Sequence, residues 1–177
     1  MVGRVLLFLT VVSAVFLSGC DREEPGVGAG EWAASVCTAL DPWRAEIDAL
    51  TTRAQSAIGP DTTPEETKAE LVTLLDGAAA ASETARAEVE AAPTPSAEVE
   101  GGAAARETVL GYLASARDAY ASAGDAMEGL DAGAEGFYDE VAAAMGELNT
   151  AYAAGPDLAG VTSVELGEAF AGEGACG

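Results

Sequence analysis

The sequence contains no histidine, a single lysine (Lys68) and eight basic residues in all, against 30 acidic ones. Without imidazole there can be no Ser-His-Asp or Cys-His catalytic set, no Glu-x-x-His motif of the di-iron bundles and no histidine-ligated zinc. Two sulfurs beyond the N-terminal cysteine make a poor zinc site by themselves. Neither a GxGxxG nor a GxxxxGK[ST] phosphate loop occurs. A formal net charge of −22 makes nucleic acid a poor partner, because its phosphates would meet a field of their own sign. No segment alternates apolar and polar residues as a half-buried strand does. What is present is alanine, 40 of 177 residues, together with glutamate. Both favour helix and are depleted in strands.

The N-terminus carries the most specific signal. Arg4 precedes an almost wholly apolar run from Val5 to Leu17, broken by Thr10 and Ser13. Thirteen helical residues span about 20 Å, short of the ~30 Å hydrocarbon core, so the run reads as the h-region of a cleaved signal peptide over residues 1–19. It closes on Leu17-Ser18-Gly19-Cys20, followed by the polar Asp21-Arg22-Glu23-Glu24. This tetrapeptide resembles the bacterial lipobox. The resemblance implies a diacylglycerol or palmitate-type anchor on the Cys20 sulfur and cleavage after Gly19. An ordinary secretory signal with an incidental cysteine is the alternative. No twin arginine is present, which favours Sec-type export. Two acyl chains, at ~0.8 kcal/mol per buried methylene, hold a protein stably on a membrane.

Once the signal is removed, seven basic residues face 30 acidic ones. Residues 20–30, glycine-rich and acidic, read as the lipidated cysteine and a flexible tether. Residues 31–177 read as the folded domain. Cys37 and Cys176 remain as an even pair in an exported chain, where such pairs oxidise to a disulfide. Free thiols or a metal site are the alternatives.

From Glu31 the period is helical. Val36, Leu40, Trp43, Ile47, Leu50 and Ala54 share one face, Asp41-Pro42 predicts a kink or break, and Gly59-Pro60 ends the segment. Thr63-Pro64-Glu65-Glu66 is a capping box that opens a second helix, which Pro93-Thr94-Pro95 ends. A third runs from Ser96 to Leu130 along a stripe through Val99, Gly102, Arg106, Val109, Leu113, Ala116, Tyr120, Ala123 and Met127. Phe137, Val141, Ala144, Leu148 and Tyr152 mark a fourth. Thr162-Ser163-Val164-Glu165 reads as a second capping box, before a short helix through Ala171. The expected fold is all-α: an antiparallel four-helix bundle with a short C-terminal helix. Four long helices return the chain to the end where it began, which brings Cys176 beside Cys37. Three would leave them apart. The bond would close a loop of about 140 residues in an alanine-rich domain that buries little area per residue.

Few residues invite a chemical role. Acidic residues flank both the Pro93–Pro95 turn (Glu83, Glu88, Glu90, Glu98, Glu100) and the 131–136 turn (Asp125, Glu128, Asp131, Glu135, Asp139, Glu140). Neither group has the spacing of a calcium loop, so both read as solvated faces. Trp32 and Trp43, three turns apart, read as core, and Met127, Met145 and the four tyrosines as core or interface. Arg106, alone on an apolar stripe, is expected to reach the surface or pair with a carboxylate. No catalytic, metal-binding or cofactor-binding residue is assigned.

The block Trp32, Cys37, Leu40, Trp43 and Ile47, with the alanine-rich chain and terminal cysteine, is similar to the small exported lipoproteins of actinobacteria. That resemblance implies a lipid-anchored domain on the extracytoplasmic face of the cell membrane and implies no activity. The expected function is an interaction module that binds another envelope protein. A small-ligand or cation-binding lipoprotein is the alternative, and a carboxylate-only enzyme is a third class with nothing to single out its acids.

Overall fold

The computed structural model describes residues 26–152 and 163–173, and every regular element among them is helical. In chain order these are α1 (Ala29–Ala57), α2 (Pro64–Ala91), α3 (Gly102–Gly129), α4 (Phe137–Tyr152) and α5 (Val164–Gly172). The all-α expectation is met. The first three helices have 28 or 29 residues, about 42 Å each, whereas α4 has 16 and α5 nine. α2 packs against both α1 and α3, α4 packs along α3, and α5 packs on α1.

Local chemistry explains most of the boundaries. At the start of α2 the Glu66 N–H donates to Thr63 Oγ1 (3.2 Å), and the Thr63 N–H donates to Glu66 Oε2 (3.0 Å). Pro64 occupies the first turn, where its missing N–H costs nothing. The last carbonyls of α3 are met from another helix: Lys68 Nζ donates to Glu128 O and Leu130 O, both at 2.7 Å. This ammonium group satisfies orphan acceptors and complements the negative end of the helix dipole.

Three local expectations are corrected. α1 runs through Pro42 without a break. An interior proline costs ~3 kcal/mol, but Ala39 and Trp43 on either side are buried. Burying a tryptophan removes roughly 150–250 Å² from water, which offsets that cost. α3 begins at Gly102, six residues later than expected, because Gly101 is left-handed (φ 75°) and Pro95 is held in an extended pairing. The buried position on its stripe is accordingly Ala105, with Arg106 displaced to the flank. At α5 the N-cap is Ser163, whose hydroxyl accepts from the Leu166 N–H (3.3 Å). The cap thus falls on Ser163, one residue after the Thr162 that the sequence suggested. Thr162 itself lies outside the described residues.

The interior divides into two clusters along the bundle. One joins Trp32, Val36 and Trp43 of α1 to Ala85 and Val89 of α2, Val109 and Leu113 of α3, and Leu166 of α5. The other joins Leu50, Leu75, Ala78, Tyr120, Met127 and Leu148, and so takes in α4. We refer to the first as the proximal end, because the N-terminal segment joins the bundle there, and to the second as the distal end.

Candidate functional site

At the proximal end the N-terminal segment is fastened before α1 begins. The Val27 N–H donates to Thr94 O (2.9 Å) and the Ser96 N–H donates to Val27 O (2.8 Å), an isolated parallel bridge to Pro95. A side chain at Gly26 would lie 2.6 Å from the Ser96 backbone, so only glycine allows this approach. Residues 26–30, which the composition assigns to a tether, thus belong to the folded body.

Cys37 is fully buried on α1, directly after Val36 and five residues beyond Trp32. Cys20 and Cys176 lie outside the described residues. Trp32 packs edge-on against Phe170 of α5 (centroids 5.5 Å apart), and Trp43 packs edge-on against Tyr112 (6.2 Å). Both tryptophans are core residues. Their polar atoms differ, however. Trp43 Nε1–H donates to the buried Ser82 Oγ (3.0 Å), which in turn donates to Ala78 O (2.8 Å), whereas buried Trp32 Nε1 has no acceptor among the described residues.

The acidic residues near the Pro93–Pro95 turn are partly engaged by arginine. Glu83 accepts from Arg86 on its own helix (2.8 Å) and from Arg117 of α3 (2.8 Å). Arg86 also holds Glu90, and Arg117 holds Asp118. The two guanidinium groups hold the Glu83 carboxyl at about 2, well below the usual carboxylate range, and both arginines are pushed up in turn. Glu66 is lowered as well, first by the Thr63 backbone N–H and then by its hydroxyl. Arg106 donates to Glu90 O (2.8 Å), so it reaches a backbone carbonyl at the end of α2 rather than a carboxylate. Its Nε is buried without a partner among the described residues.

Depressions lined by described residues include the following three. A wide one at the distal end, about 500 Å³, is lined by Glu65, Lys68, Val72 and Glu128. One between α3 and α4, about 200 Å³, is lined by Ala119, Ala123, Ala144 and Leu148. One between α1 and α2, about 220 Å³, is lined by Ala39, Pro42, Trp43 and Glu46 on one side and Ala81, Thr84, Ala85 and Glu88 on the other. Among the described residues, no three Asp, Glu, Cys or His side chains gather as a metal site, and no helix is long and apolar enough to cross a membrane.

Met127 is buried and Met145 is packed against the distal core. Tyr120 is buried and Tyr112 half-buried, but Tyr138 stands 55% exposed. The Tyr152 side chain lies outside what is described. Sequence reasoning missed the Gly26–Val27 fastening, the role of Lys68 and the inter-helix Arg117–Glu83 pair. All three join positions at least 34 residues apart. The one signal available was that Lys68 is the only lysine in an acidic chain. Comparison with family models, with curated proteins and with solved structures yields no match.

Proposed function

We propose that the protein is a lipid-anchored helical module on the extracytoplasmic face of the cell membrane that binds another envelope protein. The anchor reading rests on Leu17-Ser18-Gly19-Cys20 after a short apolar run. The fastening at Val27 supports it mechanically. A pull transmitted through Cys20 would reach the body beside the α2–α3 turn, so the distal end would point away from the bilayer.

A four-helix arrangement belongs to the same reading. α4 lines the distal part of α3 and α5 the proximal part of α1, so the two short helices together take the place of one long fourth helix. The chain would thereby return to the end that holds Cys37. Phe170 already lies against Trp32, six residues before Cys176, which supports a Cys37–Cys176 disulfide.

The observation that carries the partner reading is the state of the two short helices. Among the described residues each packs chiefly against one long helix, and each leaves a large apolar side chain in water: Tyr138 at 55% and Val164 at 80% exposure. The test is a photo-crosslinking residue at position 138 of the full chain in intact cells. A discrete adduct to one envelope protein is expected, and it should disappear in Cys20→Ala along with lipid labelling. Lipid labelling that survives Cys20→Ala refutes the anchor, and no adduct from position 138 refutes the partner surface.

A further inference from the structure

The depression between α1 and α2 has a shape that the proposed function does not explain. Its two walls carry the same spacing: Ala39, Pro42, Trp43 and Glu46 on α1, and Ala81, Thr84, Ala85 and Glu88 on α2. Each is a set at i, i+3, i+4 and i+7, one face of a helix. The helices are antiparallel. The Trp43–Ser82 hydrogen bond and the close approach of Gly77 to Leu50 fix the register, so Ala39 lies across from Glu88 and Glu46 from Ala81. The two exposed glutamates therefore stand at opposite ends of the trough, on opposite walls, about 10 Å apart along the axis. Between them the lining is alanine, Pro42, Thr84 and the largely buried Trp43. Among the described residues, α4 packs chiefly on α3 and α5 chiefly on α1.

We infer that this trough is a docking groove for a basic amphipathic helix of a partner protein. Two cationic side chains at i and i+7 of such a helix lie about 10 Å apart along its axis, matching the axial offset of Glu46 and Glu88, and the long arginine side chain reaches to either wall. Apolar side chains at i+3 and i+4 lie between them and fill the space over Ala39, Trp43 and Ala85. Small walls let a third helix approach closely, and the strongly negative net charge steers a basic segment toward the surface. The inference rests on the partner-binding reading and deepens it by giving the chemistry of the partner.

The probe is a synthetic acetylated helical peptide with arginine at i and i+7 and leucine at i+3 and i+4, measured by fluorescence anisotropy against the full exported chain. The control peptide has the same composition, with its second arginine moved to i+5 and so off that face. The matched peptide is expected to bind several-fold more tightly. Glu46→Gln with Glu88→Gln should weaken it about tenfold, the yield of two exposed charge pairs. Glu107→Gln with Glu140→Gln removes equal charge elsewhere and should leave the preference for the matched peptide intact. Equal binding of the two peptides, or equal loss in the two double variants, reduces the effect to net charge and overturns the groove. A crosslinker at Thr84 separates this from the broader reading. An adduct from position 138 with none from position 84 keeps the partner and discards the groove.

Discussion

The two ends of the bundle are held by different means. The proximal core contains both tryptophans and gathers every long helix plus α5, and the N-terminal segment is hydrogen-bonded across it. The distal core has leucine, methionine, alanine and one buried tyrosine. It is closed by the Thr63–Glu66 box and by Lys68 on the carbonyls of α3. An alanine-rich chain offers few large side chains; both tryptophans lie where the chain enters, whereas the distal end buries Phe137, Leu75 and Met127. At the distal end, polar contacts to backbone groups supplement that core and add specificity of register more than area.

The largest effect that would sharpen this contrast is reduction of the proposed Cys37–Cys176 bond. Freeing a loop of about 140 residues sets a limit on the order of 5 kcal/mol in the chain-entropy model. Intact mass of the exported chain should lack two hydrogens. After reduction, amides of α5 and the first half of α1 should exchange before those of α4. Ready alkylation of native thiols, or uniform loss of protection at both ends, would break the comparison.

Core truncations come next. Trp32→Ala should cost about 3–5 kcal/mol and Met127→Ala about 2–5 kcal/mol in denaturant unfolding. The phenylalanine variants are more discriminating. Trp32 Nε1 makes no hydrogen bond among the described residues, so Trp32→Phe removes a buried unpaired donor and should stay within about 1.5 kcal/mol of the parent. Trp43→Phe removes a bond that is made, to Ser82, and should cost more. The reverse order would show that Trp32 has a partner outside the described residues.

The local chemistry of this fold was legible in sequence, and the long-range chemistry was not. The Thr63 capping box and the Gly59-Pro60 and Pro93-Thr94-Pro95 stops act within a few residues, and each ends or begins a helix near its place. The Phe137–Tyr152 helix follows from its own stripe. Pro42 misled because packing by Trp43 onto α2 outweighs a local penalty. The start of α3 misled because Val99 is buried on the same side as the helical stripe although it sits in the turn before it. The Val27–Pro95 bridge shows no periodicity at all. As for the candidate groove, the i, i+3, i+4, i+7 sets were present in both segments, but the register that opposes them depends on Ser82 and Gly77, whose partners lie in another helix.

Glycine substitutions should sort the distal contact between α1 and α2 from open helix surface. A Cβ at Gly77 would lie 2.8 and 2.9 Å from the two Leu50 methyl groups, whereas one at Gly111 meets nothing within 4 Å. Gly111→Ala should gain roughly 0.5–1 kcal/mol from helix propensity. Gly77→Ala must displace buried Leu50, which cancels that gain and leaves a net loss of about 1 kcal/mol by thermal unfolding. Equal stabilisation by both would mean that the distal core repacks freely.

The smallest effect concerns acid, because the groups involved stand in water, where ion pairs are screened. Glu83 is held at about 2 by Arg86 and Arg117, and Glu66 is lowered by the Thr63 N–H and hydroxyl; both start from an unfolded value near 4.5. A carboxyl depressed in the folded state contributes stability that is complete above its unfolded value. That stability is lost as pH falls toward the folded value. The window for Glu83 is therefore about pH 4.5 down to about 2. Arg86 and Arg117, shifted upward, stay charged throughout and add no slope there. Tm followed from pH 6 to pH 2 should fall more steeply in the parent than in Glu83→Gln, and the two curves should converge at the acid limit. Glu66→Gln should flatten the curve as well, but its loss at neutral pH should show as faster amide exchange in the first turn of α2. For Glu83→Gln the faster exchange belongs where α2 meets α3 near Arg117. Parallel curves for parent and Glu83→Gln would mean that the inter-helix pair contributes nothing, leaving the proximal end to its aromatic core alone.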